Sequence, residues 1–387
     1  MSYHQPHGQI RARFAPMSFR WIAARQGGRV KRGFAPVLTP VAGPVLGIET
    51  SCDETAAAVL AGDGSILAEA VLSQQDHSAF GGVVPEIAAR AHLHHLPALV
   101  RQVMQTAGLG FGDLAAVAAT TGPGLIGGLI VGAGLGRGLA LAAGRPFLAI
   151  NHLEAHALTA RLPGLVADGA PFPYLLLLVS GGHCQCVAVE GVGRYRLLGG
   201  TIDDAVGEAF DKVAKMLGLG WPGGPALERL AASGRTRHPL PRPLAGRAGC
   251  DFSFSGLKTA VAHLLPAGVA ALPAQDAADI AASFQAAVVD VLVDRVGHAI
   301  AMMPRARLLV VAGGVAANQA IRAALAGLAA RRGLALAAAP LRLCGDNAVM
   351  VAWAAIERLR LGAGNDTETA PRPRWKLDTL APPKGGA

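Results

Sequence analysis

The chain has 387 residues, 52% hydrophobic and only 5% aromatic, with 50 glycines, a composition that suits an Ala/Leu/Val-rich α/β protein of two domains. Its five scattered cysteines (52, 184, 186, 250 and 344) contain no CxxC, which excludes a disulfide framework or zinc ribbon and suits a reducing cytoplasm. The net charge of +9 is concentrated at the start, and without the seven basic residues before Glu49 the remaining 28 face 26 acidic ones, too even a balance to announce a nucleic-acid-binding protein.

Those seven are Arg11, Arg13, Arg20, Arg25, Arg29, Lys31 and Arg32, and no acid accompanies them. Residues 1–44 read as a basic, disordered extension: an organellar transit peptide, a disordered arm, or translation from a start upstream of Met17. Order begins at Val45. Val45–Glu49, Ala56–Leu60 and Ile66–Ala68 are apolar runs joined by Thr50, Ser51, Cys52, Asp53 and Glu54 and by a Gly62-Asp63-Gly64 turn, the pattern of an opening β-meander. Thr50 and Ser51 suit a phosphate cradle, and Asp53 and Glu54 a metal or a reacting group; an ordinary polar hairpin is the competing reading.

Gly81–Glu86 reads as a turn and Glu86–Gln105 as a helix. Its His92, His94 and His95 are expected on a solvated face, since 92 and 94 point opposite ways and no acid pairs with them. Leu114–Gly136 has no charged residue, but Thr121-Gly122-Pro123-Gly124 breaks it into a buried strand and a Gly-rich helix, and no membrane span is expected. In Asn151–His156, a helix would set His152 and His156 on one face, the spacing of a two-histidine metal clamp. Glu154 would lie about 200° around from the first histidine, away from the position a zinc-protease base requires.

A Pro/Gly-rich linker (163–173) precedes an apolar strand, Tyr174–Val179, ending in Ser180-Gly181-Gly182-His183. The opening strand has the same form, and this weak internal repeat suggests two similar lobes, each giving one loop to a nucleotide in the cleft between them. Thr201–Asp204 is expected to cap a helix running to Leu219, with Asp211 either on a ribose hydroxyl or paired with Lys215. Asp251–Thr259 reads as a short strand and loop, residues 275–302 as a helix, Arg307–Ala312 as a strand, and Gly313–Asn318 as a helix start beside an adenosine. Gly256-Leu257-Lys258-Thr259 is a failed P-loop, with Leu where the motif needs Gly. Cys344-Gly345-Asp346-Asn347 supplies an oxygen ligand before a last helix.

Gly-Ile-Glu-Thr-Ser-Cys-Asp-Glu-Thr, Gly-Gly-Val-Val-Pro-Glu, Thr-Gly-Pro-Gly-Leu, His-x3-His, Leu-Val-Ser-Gly-Gly-His, Gly-Glu-Ala-Phe-Asp-Lys, Asp-Phe-Ser-Phe-Ser-Gly-Leu-Lys-Thr, Ala-Gly-Gly-Val-x-Ala-Asn and Asp-Asn follow one another along residues 45–376. This ordered series resembles the TsaD family of tRNA N6-adenosine threonylcarbamoyltransferases, once labelled sialoglycoproteases. The resemblance implies an α/β fold of the two-lobed actin, Hsp70 and sugar-kinase (ASKHA) type, with a nucleotide and metal site in the interlobe cleft. It implies an N-terminal lobe over 45–153, a C-terminal lobe over 154–345, and a segment 346–387 returning to the first. The implied reaction moves the threonylcarbamoyl group from threonylcarbamoyl-AMP to N6 of adenosine 37 in tRNAs reading codons that begin with A.

By the same resemblance His152, His156 and Asp346 are metal ligands, for Fe2+ first and Zn2+ or Mg2+ as alternatives. Leu178, Val179, Ser180, Gly181, Gly182, Asp211, Gly224 and Asn318 bind the adenylate. Glu228 stands where the family often has Asp, while Gly345 and Cys184 stand where relatives commonly carry Thr. The implied partners are tRNA, a smaller TsaB-like paralogue, a TsaE-like P-loop ATPase and a separate adenylate-forming enzyme. Adenine N6 is a poor nucleophile, so Asp53 or Glu54 is expected to accept its proton. A protease, and a kinase-like phosphotransferase or nucleotide-binding scaffold, are the competing classes.

Overall fold

The computed structural model describes residues 40–74, 83–166, 169–220, 222–266 and 272–383. Expectations for residues 1–39 of the extension, for Gly81 and Gly82 of the turn, and for residues 167 and 168 of the linker lie outside the described residues.

The first five strands are β1 (Val45–Glu49), β2 (Glu54–Leu60), β3 (Ile66–Ser73), β4 (Ala116–Gly122) and β5 (Phe147–Asn151), ordered β3-β2-β1-β4-β5. The expected meander is present: β1 pairs antiparallel with β2 and β2 with β3, whereas β4 and β5 continue the sheet parallel to β1. Strand periodicity splits the β1 side chains between two faces. Leu46 and Ile48 pack against helices α1 (Pro85–Ala107) and α2 (Ile126–Ala143). Val45 on the other face joins the core that contains α10 (Ala348–Leu359). Gly47 lets that helix approach closely, since a Cβ there would lie 2.4 Å from the Ala348 carbonyl oxygen.

The second sheet holds β6 (Tyr174–Val179), β7 (Cys184–Gly191), β8 (Arg194–Gly200), β9 (Leu308–Ala312) and β10 (Ala335–Ala338), ordered β10-β9-β6-β7-β8. Read from its other edge, this is the topology of the first sheet, so the repeated strand-and-small-turn motif does mark two similar lobes. Leu175, Leu177 and Val179 share a core with α4 (Val206–Met216) and α7 (Ala274–Ala301), while Leu176 and Leu178 face α3 (His152–Leu158). The remaining helices here are α5 (Gly223–Ala231) and α6 (Ser255–Ala262), between α4 and α7 in the chain, and α8 (Gln319–Arg331) and the short α9 (Leu341–Cys344), after α7. The helix α3 leaves β5 directly and is buried along its whole length, so its two histidines sit between the sheets.

Four local expectations need correction. His92 is fully buried, its ring nitrogens 2.8 Å from Thr55 Oγ1 and 3.0 Å from the Cys52 carbonyl oxygen, so the solvated-face reading fails where the helix turns onto β2. Ala205, not Thr201–Asp204, precedes α4, because the Asp203 carboxylate is taken by the Phe254 and Ser255 amides and the Ser253 and Ser255 hydroxyls. Asp211 bonds the Gly223 amide at 2.9 Å, a partner that helical spacing could not reveal. The second half of the Asp251–Thr259 loop is helical, and Lys258 of the failed P-loop stands 3.4 Å from Asp204. The apolar helix α2 is long enough to cross a membrane by length and composition, and here it packs on β4 and α1.

Candidate active site in the interlobe cleft

The parallel strands β1, β4 and β5 end together, and their carboxyl ends are where ligands collect in open α/β sheets. β1 ends in Glu49, β4 in Gly122, and β5 in Asn151 followed at once by His152. The Asn151 side chain caps α3 by accepting from the Leu153 and Glu154 amides, which sets the helical phase and puts His152 and His156 on one face. Asp346 arrives from the far end of the chain, just before α10, whose cap is the Asn347 side chain.

The three meet on one carboxylate oxygen. Asp346 Oδ1 lies 3.1 Å from His156 Nε2 and 3.4 Å from His152 Nε2, and donor atoms of all three residues fall within 4.8 Å of one another. The trio is therefore compatible with a metal site. His152 Nδ1 is 3.1 Å from Glu49 Oε2 and 3.1 Å from Ser51 Oγ, which leaves its Nε2 turned to Asp346. His156 Nδ1 is buried without a hydrogen-bond partner, so the protein alone does not satisfy that ring. Two neutral imidazoles and one carboxylate form a donor set that suits a divalent ion. In the absence of an ion, a proton on His152 takes the place of that charge. Although desolvation favours neutral His152, Asp346 and Glu49 push it up to about 9, and Asp346 is held below the usual carboxylate range despite its own desolvation, chiefly by His152. The cluster favours positive charge at its centre.

Glu49 is a member of this cluster that the sequence reading missed. It is wholly buried, accepts from the Ser51 amide at 2.6 Å and the Thr120 hydroxyl at 2.5 Å, and is held below its ordinary value, against desolvation, by His152. The one available signal was an acid at the end of an all-apolar strand. A carboxylate behind a ligating histidine fixes its ring, so Glu49→Gln is expected to weaken metal binding about 10- to 100-fold in a chelator-competition titration. Unchanged affinity would remove Glu49 from that role.

The expected proton acceptors stand nearby on the opening turn. Glu54 is pushed well above the usual carboxylate range by burial, then by the charges of Asp346 and Asp53, and it shares a hydrogen bond with Asp53. His183, half-buried at the start of the facing β7, is pushed down to about 4 by burial and then by the charge of His152 and His156, so it stays neutral.

The expected adenylate residues lie around β6, α4, α5 and the start of α8, with different kinds of exposure. Leu178 and Val179 are wholly buried in the sheet, so they form the floor beneath the Ser180–Gly182 turn and offer no exposed surface themselves. Gly181, Gly182 and Gly224 face open space, and Gly207 permits the loop to rest on α4, where a Cβ would lie 2.5 Å from the Ser180 carbonyl oxygen. The Ser180 hydroxyl accepts from the His183 amide, closing the loop. Asp211 is raised by burial, and its bonds to the Gly223 and Gly224 amides oppose this while shaping the start of α5. Asn318 has partners on both polar atoms, its oxygen capping α8 at Ile321 and its nitrogen on Gln285. Glu228 accepts from the Gln319 amide at 2.7 Å and ties α5 to α8. Glu154 is spent elsewhere, on Arg358, Tyr195 and the Gly193 amide, which removes it as the base of a protease reading.

The solved structure of HypF from T. kodakarensis, 14% identical, superposes with a TM-score of 0.54 over 85% of this chain and 50% of its own. Two sheets of like topology, with the His152, His156 and Asp346 cluster between them, make this an α/β protein of the ASKHA fold. The family model TsaD, tRNA N6-adenosine threonylcarbamoyltransferase, matches residues 65–353. Curated proteins of that name from Granulibacter bethesdensis and Gluconobacter oxydans are 69% and 64% identical, over 87% and 90% of this chain and 94% and 98% of their own length. The chain belongs to this family of tRNA-modifying transferases.

Proposed function

We propose that the chain transfers the threonylcarbamoyl group of threonylcarbamoyl-AMP to N6 of adenosine 37 in tRNAs reading codons that begin with A. The observation that carries this reading is the convergence of His152, His156 and Asp346 in the cleft of a member of this family. In the transfer, N6 bonds to the carbamoyl carbon, the bond from that carbon to the phosphate oxygen breaks, and AMP departs with the electron pair. AMP is a good leaving group, so no P-loop is needed. The barrier lies in the weak amine, which calls for positioning, polarisation of the carbamoyl oxygen and removal of one N6 proton.

His152, His156 and Asp346 would hold a divalent ion, Fe2+ in this proposal and Zn2+ or Mg2+ otherwise, which supplies Lewis acidity toward substrate oxygens when bound. Ser180, Gly181, Gly182 and Gly224 offer backbone to the adenylate, with the strand end at Leu178 and Val179 behind them. Asp211 and Asn318 hold the turns that shape its nucleoside side. Glu54 and Asp53 act as a pair with a shared hydrogen bond, and the pair accepts the N6 proton. Glu54→Gln is expected to slow single-turnover transfer by about 10²- to 10⁴-fold while leaving adenylate affinity unchanged. A normal rate would remove Glu54 from the mechanism.

For partners we propose the TsaB-like paralogue, the TsaE-like ATPase and the separate adenylate-forming enzyme, working together in the cytoplasm. The surface for the paralogue is the outer face of α1 and α2, where Leu93, Ile126 and Ile130 are all about half exposed or more, around a groove floored by Leu96 and Val131. Contiguous exposed apolar surface of this kind marks interaction sites. Ile130→Asp should raise the heterodimer Kd at least about tenfold in sedimentation or calorimetry, and an unaltered Kd would move the interface elsewhere.

The deciding experiment is a single-turnover reaction of the chain, its paralogue, threonylcarbamoyl-AMP and unmodified tRNA, read by nucleoside mass spectrometry. Modified adenosine that is absent with His152→Ala supports both the reaction and the site. No product with metal and partner present would overturn the reading.

A further inference from the structure

The segment after α10 crosses the carboxyl ends of β4 and β5, beside the site. It carries Arg372-Pro373-Arg374-Trp375-Lys376, three cations in five residues without an acid. Its backbone is pinned to the carboxyl ends of β4 and β5. The Arg372 amide donates to the Thr121 carbonyl at 2.7 Å, the Gly124 amide donates to the Pro373 carbonyl at 3.2 Å, and the Asn151 side-chain amide donates to the Trp375 carbonyl at 3.1 Å. The approach is close enough to demand glycine at 122, where φ is +152° and a Cβ would lie 2.0 Å from the Arg372 carbonyl oxygen.

These anchors are also parts of the site. Asn151 caps the helix that begins with His152, and Gly124 packs against Ser51, whose hydroxyl lies on His152 Nδ1. The pinned backbone thus faces inward, while the Arg372, Arg374 and Lys376 side chains are exposed. None of the three is in an ion pair among the described residues, and the Arg372 guanidinium lies 5.2 Å from the centre of the half-buried Trp375 ring. The other arginine-rich stretch, 235–247, differs in kind, because Arg237 and Arg242 are paired with Asp279 and Asp290 of α7.

We propose that this Arg-Pro-Arg-Trp-Lys strap is a binding surface for the phosphate backbone of the substrate RNA, holding the strand that carries the target adenosine at the mouth of the cleft. Unpaired cations beside an aromatic ring, on a rigid backbone, have the chemistry that tracks single-stranded RNA. The inference rests on the transferase reading. It explains how a chain whose body is nearly neutral takes a polyanionic substrate: the needed charge is local, at the rim of the site.

The test uses the full chain and a fluorescein-labelled anticodon-arm RNA, with binding followed by anisotropy across a salt series. Arg372→Gln, Arg374→Gln and Lys376→Gln combined should raise Kd about 30-fold and lower the slope of log K against log salt by about 2. The double variant Arg374→Gln with Lys376→Gln leaves the Arg372–Trp375 contact in place and should give about two-thirds of the slope change. Arg331→Gln with Arg332→Gln, exposed at the end of α8, should shift Kd less than about twofold. Threonylcarbamoyl-AMP affinity, measured in parallel, should be the same in all. If the strap variants keep the wild-type RNA affinity and slope, or if wild type binds adenylate and no RNA, the strap proposal is overturned while the adenylate site stands. If wild type binds neither, the transferase reading beneath it falls as well.

Discussion

Asp346→Ala is expected to reduce single-turnover transfer by about 10³-fold or more and to abolish binding of a divalent ion at the trio. Asp346 contributes the only carboxylate of the trio, and both imidazoles face the same oxygen of it, at 3.1 and 3.4 Å. Without it the site keeps two neutral nitrogens and loses the charge that balances a divalent ion. Lewis-acid stabilisation of a transition state is worth several kcal/mol, and about 4 kcal/mol corresponds to 10³ in rate. The fold should survive, because Glu49 and Ser51 still hold His152 and Asn347 still caps α10. Elemental analysis and rate are read on one preparation. Activity within about tenfold of wild type would show that the trio does not serve the reaction.

Glu154→Ala carries the largest expected effect on stability. Glu154 is fully buried two residues from His152, yet it belongs to the architecture. Its Oε2 receives Arg358 at 2.6 Å from the end of α10, and its Oε1 receives the Tyr195 hydroxyl at 2.9 Å and the Gly193 amide at 3.1 Å from the β7–β8 hairpin. One carboxylate therefore joins the helix that covers the first sheet to a hairpin of the second. Removing it strands a guanidinium that is largely out of water, which costs about 3–5 kcal/mol in comparable buried pairs. A fall in Tm of about 4–6 °C is expected for a chain of this length. Glu154→Gln, which retains the hydrogen-bond acceptor but loses the charge, should fall between the two. A Tm within about 2 °C of wild type for Glu154→Ala would mean the pair contributes nothing net.

Residues with a local reason to be where they are were legible. The i, i+4 spacing of His152 and His156, the Gly-broken strand and helix around residue 122, and the repeated apolar strand with a small polar turn all depend on backbone period, and the structure carries each of them. His92 shows the limit of that logic. Helical spacing says which residues share a face but not that the next strand will lay a hydroxyl and a carbonyl against this one. The same limit hid the Asp211–Gly223 bond, in which a loop that follows the helix folds back onto it.

By itself the sequence determined the opening meander, the repeated strand with its small polar turn, the longer helices and the histidine pair, because periodicity, turn residues and side-chain spacing act over a few residues and are written there directly. Only the tertiary structure decided that Glu49 stands behind His152, that Arg358 neutralises Glu154, and that residues 372–376 cross the ends of β4 and β5. These contacts join positions 103, 204 and 224 residues apart along the chain. Which partners meet over such separations depends on where the folded chain crosses itself, and no local pattern encodes that.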